Sequence, residues 1–342
     1  MQIYNLEFSK EEIETAVANG QLLSMEIEFS RRCNFHCPYC YVPTAAELNN
    51  ELSRQEIKGV IRQAKELGAR KIIILGGEPS IYPHLVEMIG FIRQEGLAVE
   101  MFTNGSGVSQ ELARFLAAEE VRVILKCNSL DETLQDTLAG RKGAYGIIRT
   151  ALEHLKAAGY PSPDAFLALS TVICRQNIAE LPRMWQWLRD QEIEAYFEVM
   201  TPQENALQNT WLEVSPVELK TLFTTLSGID RDLYGRLWAP QPPLVGNKCM
   251  RHQVSCVVTS TGNVMPCVGV TINIGNVRER TLADIIGNSE VIRDLKNYRQ
   301  MIKGHCHSCE KADDCYGCRG AAFQLTGDYL ASDPTCWRVS SS

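Results

Sequence analysis

Between residues 22 and 200 the apolar positions switch repeatedly between two periods, and the switching itself sets out a fold. Short apolar or β-branched runs occur at "LLSMEIEFS" (22–30), "RKIIILGG" (70–77), "LAVEMFTNG" (97–105), "VRVILKCNS" (121–129), "AFLALSTVI" (165–173) and "IEAYFEVM" (193–200), and they read as six strands. Between them, apolar residues recur at helical spacing in "SRQEIKGVIRQAKELG" (53–68), "PHLVEMIGFIRQEG" (83–96), "SQELARFLAAEE" (109–120), "AYGIIRTALEHLKAAG" (144–159) and "NIAELPRMWQWLRDQ" (177–191). The first of these helices opens on Ser53 with Glu56 three residues later and stops at Gly68. The last carries Pro182 near its first turn. The run at 70–77 is apolar without alternation, as a strand covered on both faces requires.

Strand and helix in strict succession need parallel strands joined by helical crossovers. Six such units fall short of a closed eight-stranded barrel, so the expected architecture is α/β: a partial, curved (β/α)6 TIM-like barrel. In these folds the chemistry sits at the carboxyl ends of the strands. The informative stretches fall there. Cys33, Cys37 and Cys40 follow the first strand, "GGEP" (76–79) the second, "TNG" (103–105) the third and "NSLD" (128–131) the fourth.

Beyond residue 200 the pattern changes. "SPVELKTLFTTLSG" (215–228) reads as a last barrel-side helix, and "GRLWAPQPPLVGNK" (235–248) as a Pro- and Gly-rich linker. "QVSCVVTSTGNVMPCVG" (253–269) reads as a hairpin around Thr-Gly-Asn, and "TLADIIGNSEVIRDLKNY" (281–298) as two short helices. This divides the chain into a barrel at 1–234, a linker at 235–248 and a small α+β region at 249–342.

Composition narrows the class. The chain has 342 residues, 45% of them apolar, which is enough for a sizeable core. Its 41 acidic and 34 basic residues leave a net charge of −7 with no basic block, which excludes a nucleic-acid groove or an anionic membrane surface as the expected partner. No apolar run is long enough to cross a bilayer. The first twenty residues carry four glutamates and lack the basic start and apolar middle of a secretory signal, so a cytoplasmic location is expected.

Thirteen cysteines are many for such a protein, and in a cytoplasmic setting they point to metal or redox chemistry. Three lie at 33–40 and eight at 249–336, while Cys127 and Cys174 stand alone. On spacing alone, the trio also suits a zinc knuckle, and the C-terminal set a pair of zinc ribbons.

The C-x3-C-x2-C run after the first strand, together with GGEP after the second, resembles the radical S-adenosylmethionine (SAM) enzymes over roughly residues 20–200. The resemblance implies a [4Fe–4S] cluster on Cys33, Cys37 and Cys40, with SAM chelating the iron that no cysteine holds. Reductive cleavage of SAM would then give a 5′-deoxyadenosyl radical. It also implies that Gly76, Gly77, Glu78 and Pro79 run along the methionyl amino group, with Tyr39 near the adenine and Asn104 and Ser129 near the ribose or carboxylate. Arg141 is a candidate to pair with the SAM carboxylate. Plainer readings stay open: a left-handed turn at Asn104, a helix cap at Ser129, a surface ion pair at Arg141.

The C-terminal cysteines resemble a SPASM domain. Cys249-x6-Cys256-x5-Gly262-x4-Cys267 is followed by C-x2-C-x5-C-x2-C at 306–318 and by Cys336, with two residues in the last gap where the pattern usually has three. The resemblance implies two auxiliary [4Fe–4S] clusters, making three in all. One is expected on Cys249, Cys256, Cys267 and Cys318, the other on Cys306, Cys309, Cys315 and Cys336. Arg251 and His252 would lie beside the first, in contact with substrate or with the cluster.

Two auxiliary clusters suit a two-electron oxidation of substrate, a dehydrogenation or a cross-link. The alternatives are a redox-neutral epimerisation, with Cys127 or Cys174 returning the hydrogen, and a ribosomal-peptide maturase working with a separate carrier. Glu198, ending the sixth strand, is the candidate substrate-binding group or general base; Cys127 is otherwise a buried inert thiol. Trp185 and Trp187 read as packing. In sulfatase-maturating relatives an aspartate follows the third auxiliary cysteine; here Val268 follows Cys267, which disfavours formylglycine formation. Only 32 residues precede Cys33, too few for an N-terminal peptide-recognition domain. The expected partners are a small-molecule or short-peptide substrate and a flavodoxin- or ferredoxin-like electron donor.

Overall fold

The computed structural model describes residues 8–42, 48–313 and 315–339. The first seven residues of the N-terminal stretch examined for a signal lie outside this range. Six parallel strands appear where the pattern places them: β1 Ser24–Glu28, β2 Lys71–Leu75, β3 Ala98–Thr103, β4 Arg122–Lys126, β5 Leu167–Ile173 and β6 Glu194–Val199. The crossover helices are α2 Arg54–Glu66, α3 Leu85–Gln94, α4 Gln110–Ala118, α6 Ala144–Ala157 and α7 Leu181–Asp190. The sequence pattern places no helix over 10–18 or 319–326, and it puts the cap of the helix after "SLDE" at Ser129. α1 Lys10–Ala18 is set by a Ser9–Glu12 capping box, and α5 Glu132–Ala139 by Asp131, whose side chain accepts the Leu134 N–H, and by left-handed Gly140. α8 Asn205–Gln208 follows β6, and α9 runs over Pro216–Tyr234, past the expected stop at Gly228.

The sheet is open, ordered β6-β5-β4-β3-β2-β1-β7-β8-β9. Its last three members, β7 Val257–Val258, β8 Asn263–Met265 and β9 Gly275–Asn276, come from the C-terminal region. β7 pairs parallel to β1, with Glu26 opposite Val257 and Ile27 opposite Val258. The barrel sheet therefore continues into the C-terminal region instead of ending at β1. At the other margin, residues read as a linker lie along β6. Val199 N–H donates to Pro243 O at 2.8 Å and Val245 N–H to Phe197 O at 3.0 Å, so the exposed edge is covered. The remaining helices are α10 Arg251–Val254, α11 Leu282–Gly287, α12 Glu290–Lys296, α13 Tyr298–Met301, α14 His305–Ser308 and α15 Arg319–Thr326. Among the described residues no helix is long and apolar enough to cross a membrane.

The two faces of the sheet differ in polarity. On β1, Met25 and Ile27 join the main core under the helices, while Glu26 and Glu28 take the opposite face. Arg251 Nε stands 3.1 Å from Glu26 Oε1 on β1, and its Nη2 donates to Tyr196 OH on β6 at 2.9 Å. Strands at opposite ends of the barrel sheet thus meet at one guanidinium, which places both on the concave side of a strongly curled sheet. Deeper in the same lumen, Glu100 is shared by Lys71 at 2.9 Å and Arg122 at 3.3 Å.

A second buried charge fixes α9 to α7 and to the segment leading to β6. Asp230 is fully buried and accepts from Trp185 Nε1 (2.8 Å), Trp238 Nε1 (2.8 Å) and Arg189 Nε and Nη2 (both 3.0 Å). Replacing Asp230 with Ala would strand a buried guanidinium and two indole N–H groups. Denaturant unfolding should show a loss of about 3–5 kcal/mol for Asp230→Ala, and a loss below about 1 kcal/mol would contradict the role assigned to this contact.

Candidate active site and auxiliary cysteine sets

The loop after β1 carries Cys33, Cys37 and Cys40 and has almost no internal hydrogen bonding, so neighbouring strand ends hold it. Gly77 N–H donates to Ser30 O and Glu78 N–H to Arg32 O, both at 2.8 Å. The approach is so close that a Cβ on Gly76 would lie 2.3 Å from Ser30 O, and one on Gly77 2.1 Å from Arg32 O. The two glycines of GGEP are thus demanded by the cysteine loop itself. Their closeness to a methionyl group was the expectation; the contact shown is with the cluster-bearing backbone. On the other side His36 N–H donates to Ala139 O at 3.1 Å, and Gly140 leaves room for His36 O. Arg141 Nη1 donates to Asn34 O at 2.9 Å. From α8, Asn205 supplies N–H to Cys40 O (3.3 Å) and Nδ2 to Cys37 O (3.2 Å), and Asn209 Nδ2 reaches Pro38 O at 3.1 Å.

Beside this loop lies a half-open cavity of about 230 Å³. Cys33, Cys37, Cys40, Tyr39, Gly76, Gly77, Glu78, Asn104 and Glu198 all line it. Pro79 starts a 3-10 turn just behind. Glu78 binds Ser80 N–H at 2.8 Å together with the Thr103 hydroxyl and the Asn104 N–H, so its carboxylate braces the β2 loop against the end of β3. Burial raises its pKa even though these donors oppose the shift. Asn104 Nδ2 lies 3.1 Å from Asn34 Oδ1 and 3.8 Å from Cys33 Sγ.

Besides Pro79, the candidates Ser129, Arg141, Cys127 and Cys174 stand outside the lining. Ser129 Oγ accepts the Asp131 N–H at 2.9 Å, a turn contact. Arg141 is committed to the cysteine loop as described. Cys127 packs in the main core with its thiol on Ser129 O at 3.5 Å, and burial raises its pKa to about 12. Its strand neighbour Lys126 takes the cavity face, donating to Ser170 Oγ (3.1 Å) and standing 3.5 Å from Glu198 Oε1. Lys126, Tyr41, Gln203, Asn205 and Asn209 were not singled out from sequence. A signal existed only for the asparagines, which are clustered in "QENALQN" after a strand end.

The same cavity reaches the C-terminal region through Arg251 and Val268, which flank Cys249 and Cys267. The Cys249, Cys267 and Cys318 thiols are close enough for charge on one to raise the pKa of another. Cys256 is buried at the start of β7, with Glu26 and Lys296 as its charged neighbours. Cys306, Cys309, Cys315 and Cys336 surround a separate small cavity.

Backbone N–H groups point at sulfur throughout: Phe35 at Cys33, Val270 at Cys267, Gly317 at Cys315 and Asp333 at Cys306, each at 3.4 Å, and Ala321 at Cys318 at 3.3 Å. Burial pushes the thiol of Cys33 to about 11, Cys37 to about 12, Cys267 to about 11 and Cys336 to about 11. Thiols met by backbone N–H donors suit iron, which binds cysteines as thiolates and uses such donors to tune its potential. Among the described residues no three Cys, His, Asp or Glu side chains converge on one point as a single metal ion requires.

Gly77→Ala should displace the cysteine loop. A loss of about 1–3 kcal/mol in stability is expected, with iron falling selectively at the trio after anaerobic reconstitution. Unchanged iron and stability would refute the close approach.

Comparison with known proteins agrees with this geometry. A model of the radical SAM superfamily matches residues 27–188, and one of the SPASM iron–sulfur cluster-binding domain matches 249–318. A PqqA peptide cyclase of Streptomyces rochei is 30% identical over 343 residues, covering 93% of this chain and 90% of its own. An AdoMet-dependent heme synthase of Methanosarcina barkeri (strain Fusaro / DSM 804) is 26% identical, covering 90% of this chain and 94% of its own. The structure of Streptococcus suis SuiB bound to S-adenosylmethionine shares the fold, with TM-score 0.72 at 16% identity over 97% of this chain and 84% of that one. The chain belongs to the radical SAM superfamily, in the branch that carries a C-terminal SPASM domain.

Proposed function

We propose that the protein uses three [4Fe–4S] clusters to carry out a two-electron oxidation on a peptide substrate. One observation carries this reading: a single cavity is lined both by the trio and by Arg251 and Val268, the neighbours of Cys249 and Cys267. Bound there, the cluster and SAM would supply a 5′-deoxyadenosyl radical that removes a substrate hydrogen atom, and the first auxiliary cluster an acceptor for the second electron. Cys33, Cys37 and Cys40 would hold the first cluster. Cys249, Cys256, Cys267 and Cys318 would hold the second, and Cys306, Cys309, Cys315 and Cys336 the third. Tyr39, Gly76, Gly77, Glu78 and Asn104 would border SAM.

The chain's own residues handle the proton and the substrate. Glu198 faces the cavity with Lys126 Nζ 3.5 Å from its Oε1, which fixes the direction of the carboxylate. It accepts the proton that the substrate loses as its second electron leaves. Arg251, tied to Glu26 and Tyr196, closes the floor of the cavity and orients a polar group of the substrate. Oxidation is supported over epimerisation by the position of the thiols: Cys127 and Cys174 are buried with their Sγ atoms on the carbonyls of Ser129 and Val172, at 3.5 Å in each case. A peptide substrate is supported by the full-length similarity to a PqqA peptide cyclase. The similarity to a heme synthase favours a second reading, a non-peptide substrate.

The test is an anaerobic assay with dithionite, SAM and deuterated candidate peptides. Deuterium should enter 5′-deoxyadenosine, and the peptide should become lighter by two hydrogens. Transfer with the lost deuterium replaced by one hydrogen would overturn oxidation, and transfer from non-peptide candidates alone would overturn the peptide. Glu198→Gln should keep SAM cleavage while product formation falls by about 10²-fold or more. Loss of cleavage and product in equal measure would remove Glu198 from the proton step.

A further inference from the structure

Arg319 begins α15 directly after Cys318 and is only 2% exposed. Its Nη1 donates to Tyr329 O (3.1 Å) and Ala331 O (2.6 Å). Its Nε and Nη2 are buried and meet no acceptor among the described residues. The acidic groups around it are engaged elsewhere. Asp333 accepts from Cys318 N–H (2.7 Å) and from Thr335 N–H (2.9 Å) and hydroxyl (2.7 Å), and Asp328 is held by Lys303 at 2.6 Å. A buried guanidinium with two open donors is costly unless an anion completes it.

Gly317 shows where that anion belongs. It takes a left-handed φ of +65°, and a Cβ there would lie 2.8 Å from Arg319 Nη2 and 3.3 Å from Cys306 Sγ. The guanidinium and the thiol therefore face each other across a residue that has no side chain to separate them. Cys306 belongs with Cys309, Cys315 and Cys336 around the small cavity that Gly317 also lines. The first auxiliary set has other cations near it: Arg251 near Cys249, paired with Glu26 at 3.1 Å, and Lys296 beside Cys256.

We propose that Arg319 is a counter-cation and N–H donor to the cluster on Cys306, Cys309, Cys315 and Cys336, and that it raises that cluster's potential. An unpaired cation beside a cluster stabilises its reduced, more negative state, whereas a cation already matched by a carboxylate does so far less. Arg319 is a positioning and tuning residue, remote from the substrate cavity. The inference rests on the reading that both auxiliary sets hold clusters.

The experiment uses the full chain with Cys33, Cys37 and Cys40 replaced by Ala, so that only auxiliary clusters contribute to an EPR-monitored potentiometric titration. The signal of the second set is assigned by its loss in Cys336→Ser. In that background Arg319→Gln should move the second set's midpoint to more negative potential and leave the first set's in place. Arg319→Lys, which keeps the charge, should move it less. In the otherwise unaltered chain labelled with 15N-arginine, pulsed EPR should show nitrogen coupling to the reduced second cluster that vanishes in Arg319→Lys. This measurement decides the matter if Arg319→Gln fails to hold iron. An unmoved midpoint in Arg319→Gln, or no nitrogen coupling, overturns the role of Arg319. Iron for a single auxiliary cluster in the parent chain would instead overturn the two-cluster reading.

Discussion

A loop that cannot satisfy its own backbone governs this structure. The stretch from Ser30 to Cys40 has no regular ladder, so its carbonyls need donors from elsewhere. Gly77 and Glu78 come from the end of β2, Arg141 from the turn after α5, and Asn205 and Asn209 from α8 and the turn after it. Each donor stands at the carboxyl-side rim of the curled sheet, where strand ends converge. The geometry of the cysteine trio is thus a property of the whole rim. Residues far apart in sequence are fixed by the need to hold one three-cysteine loop in place.

The legible parts of the fold were those with local causes. Six strands and their crossover helices follow from hydrophobic period, and the cysteine spacings point to metal binding, with iron favoured over zinc only once GGEP is read beside the trio. α1 and α15 were missed because short helices with few apolar residues leave little periodic signal, and the cap expected at Ser129 for α5 is supplied by Asp131. α9 overran Gly228 because nothing crowds that glycine and the helix continues to a left-handed Gly235. Glu78 and Arg141 drew attention for contacts with a cofactor, yet their visible partners are the protein's own backbone. The lumen charges were the least legible. Glu26 sits in a run that reads as apolar, and its partner Arg251 is 225 positions away, a match that only the curl of the sheet creates. Lys126 looked unremarkable beside Cys127, although strand alternation gives it, and not the cysteine, the cavity face.

The auxiliary sets differ in electrostatic setting as well as in place. The first opens on the substrate cavity and is accompanied by a cation already matched by a carboxylate. The second has its own small cavity and a buried cation whose remaining donors meet no acceptor among the described residues. Sulfur ligands with N–H donors recur in both, so the contrast lies in charge and not in hydrogen bonding.

The pairing at both margins of the sheet has a mechanical consequence. β7 is hydrogen-bonded to β1, and residues 243–245 are bonded to β6, so the C-terminal region grips the barrel at its two opposite sides. A hinge between the halves would have to break both grips at once. The spacing between the trio and the auxiliary thiols is therefore set by the strand pairing itself.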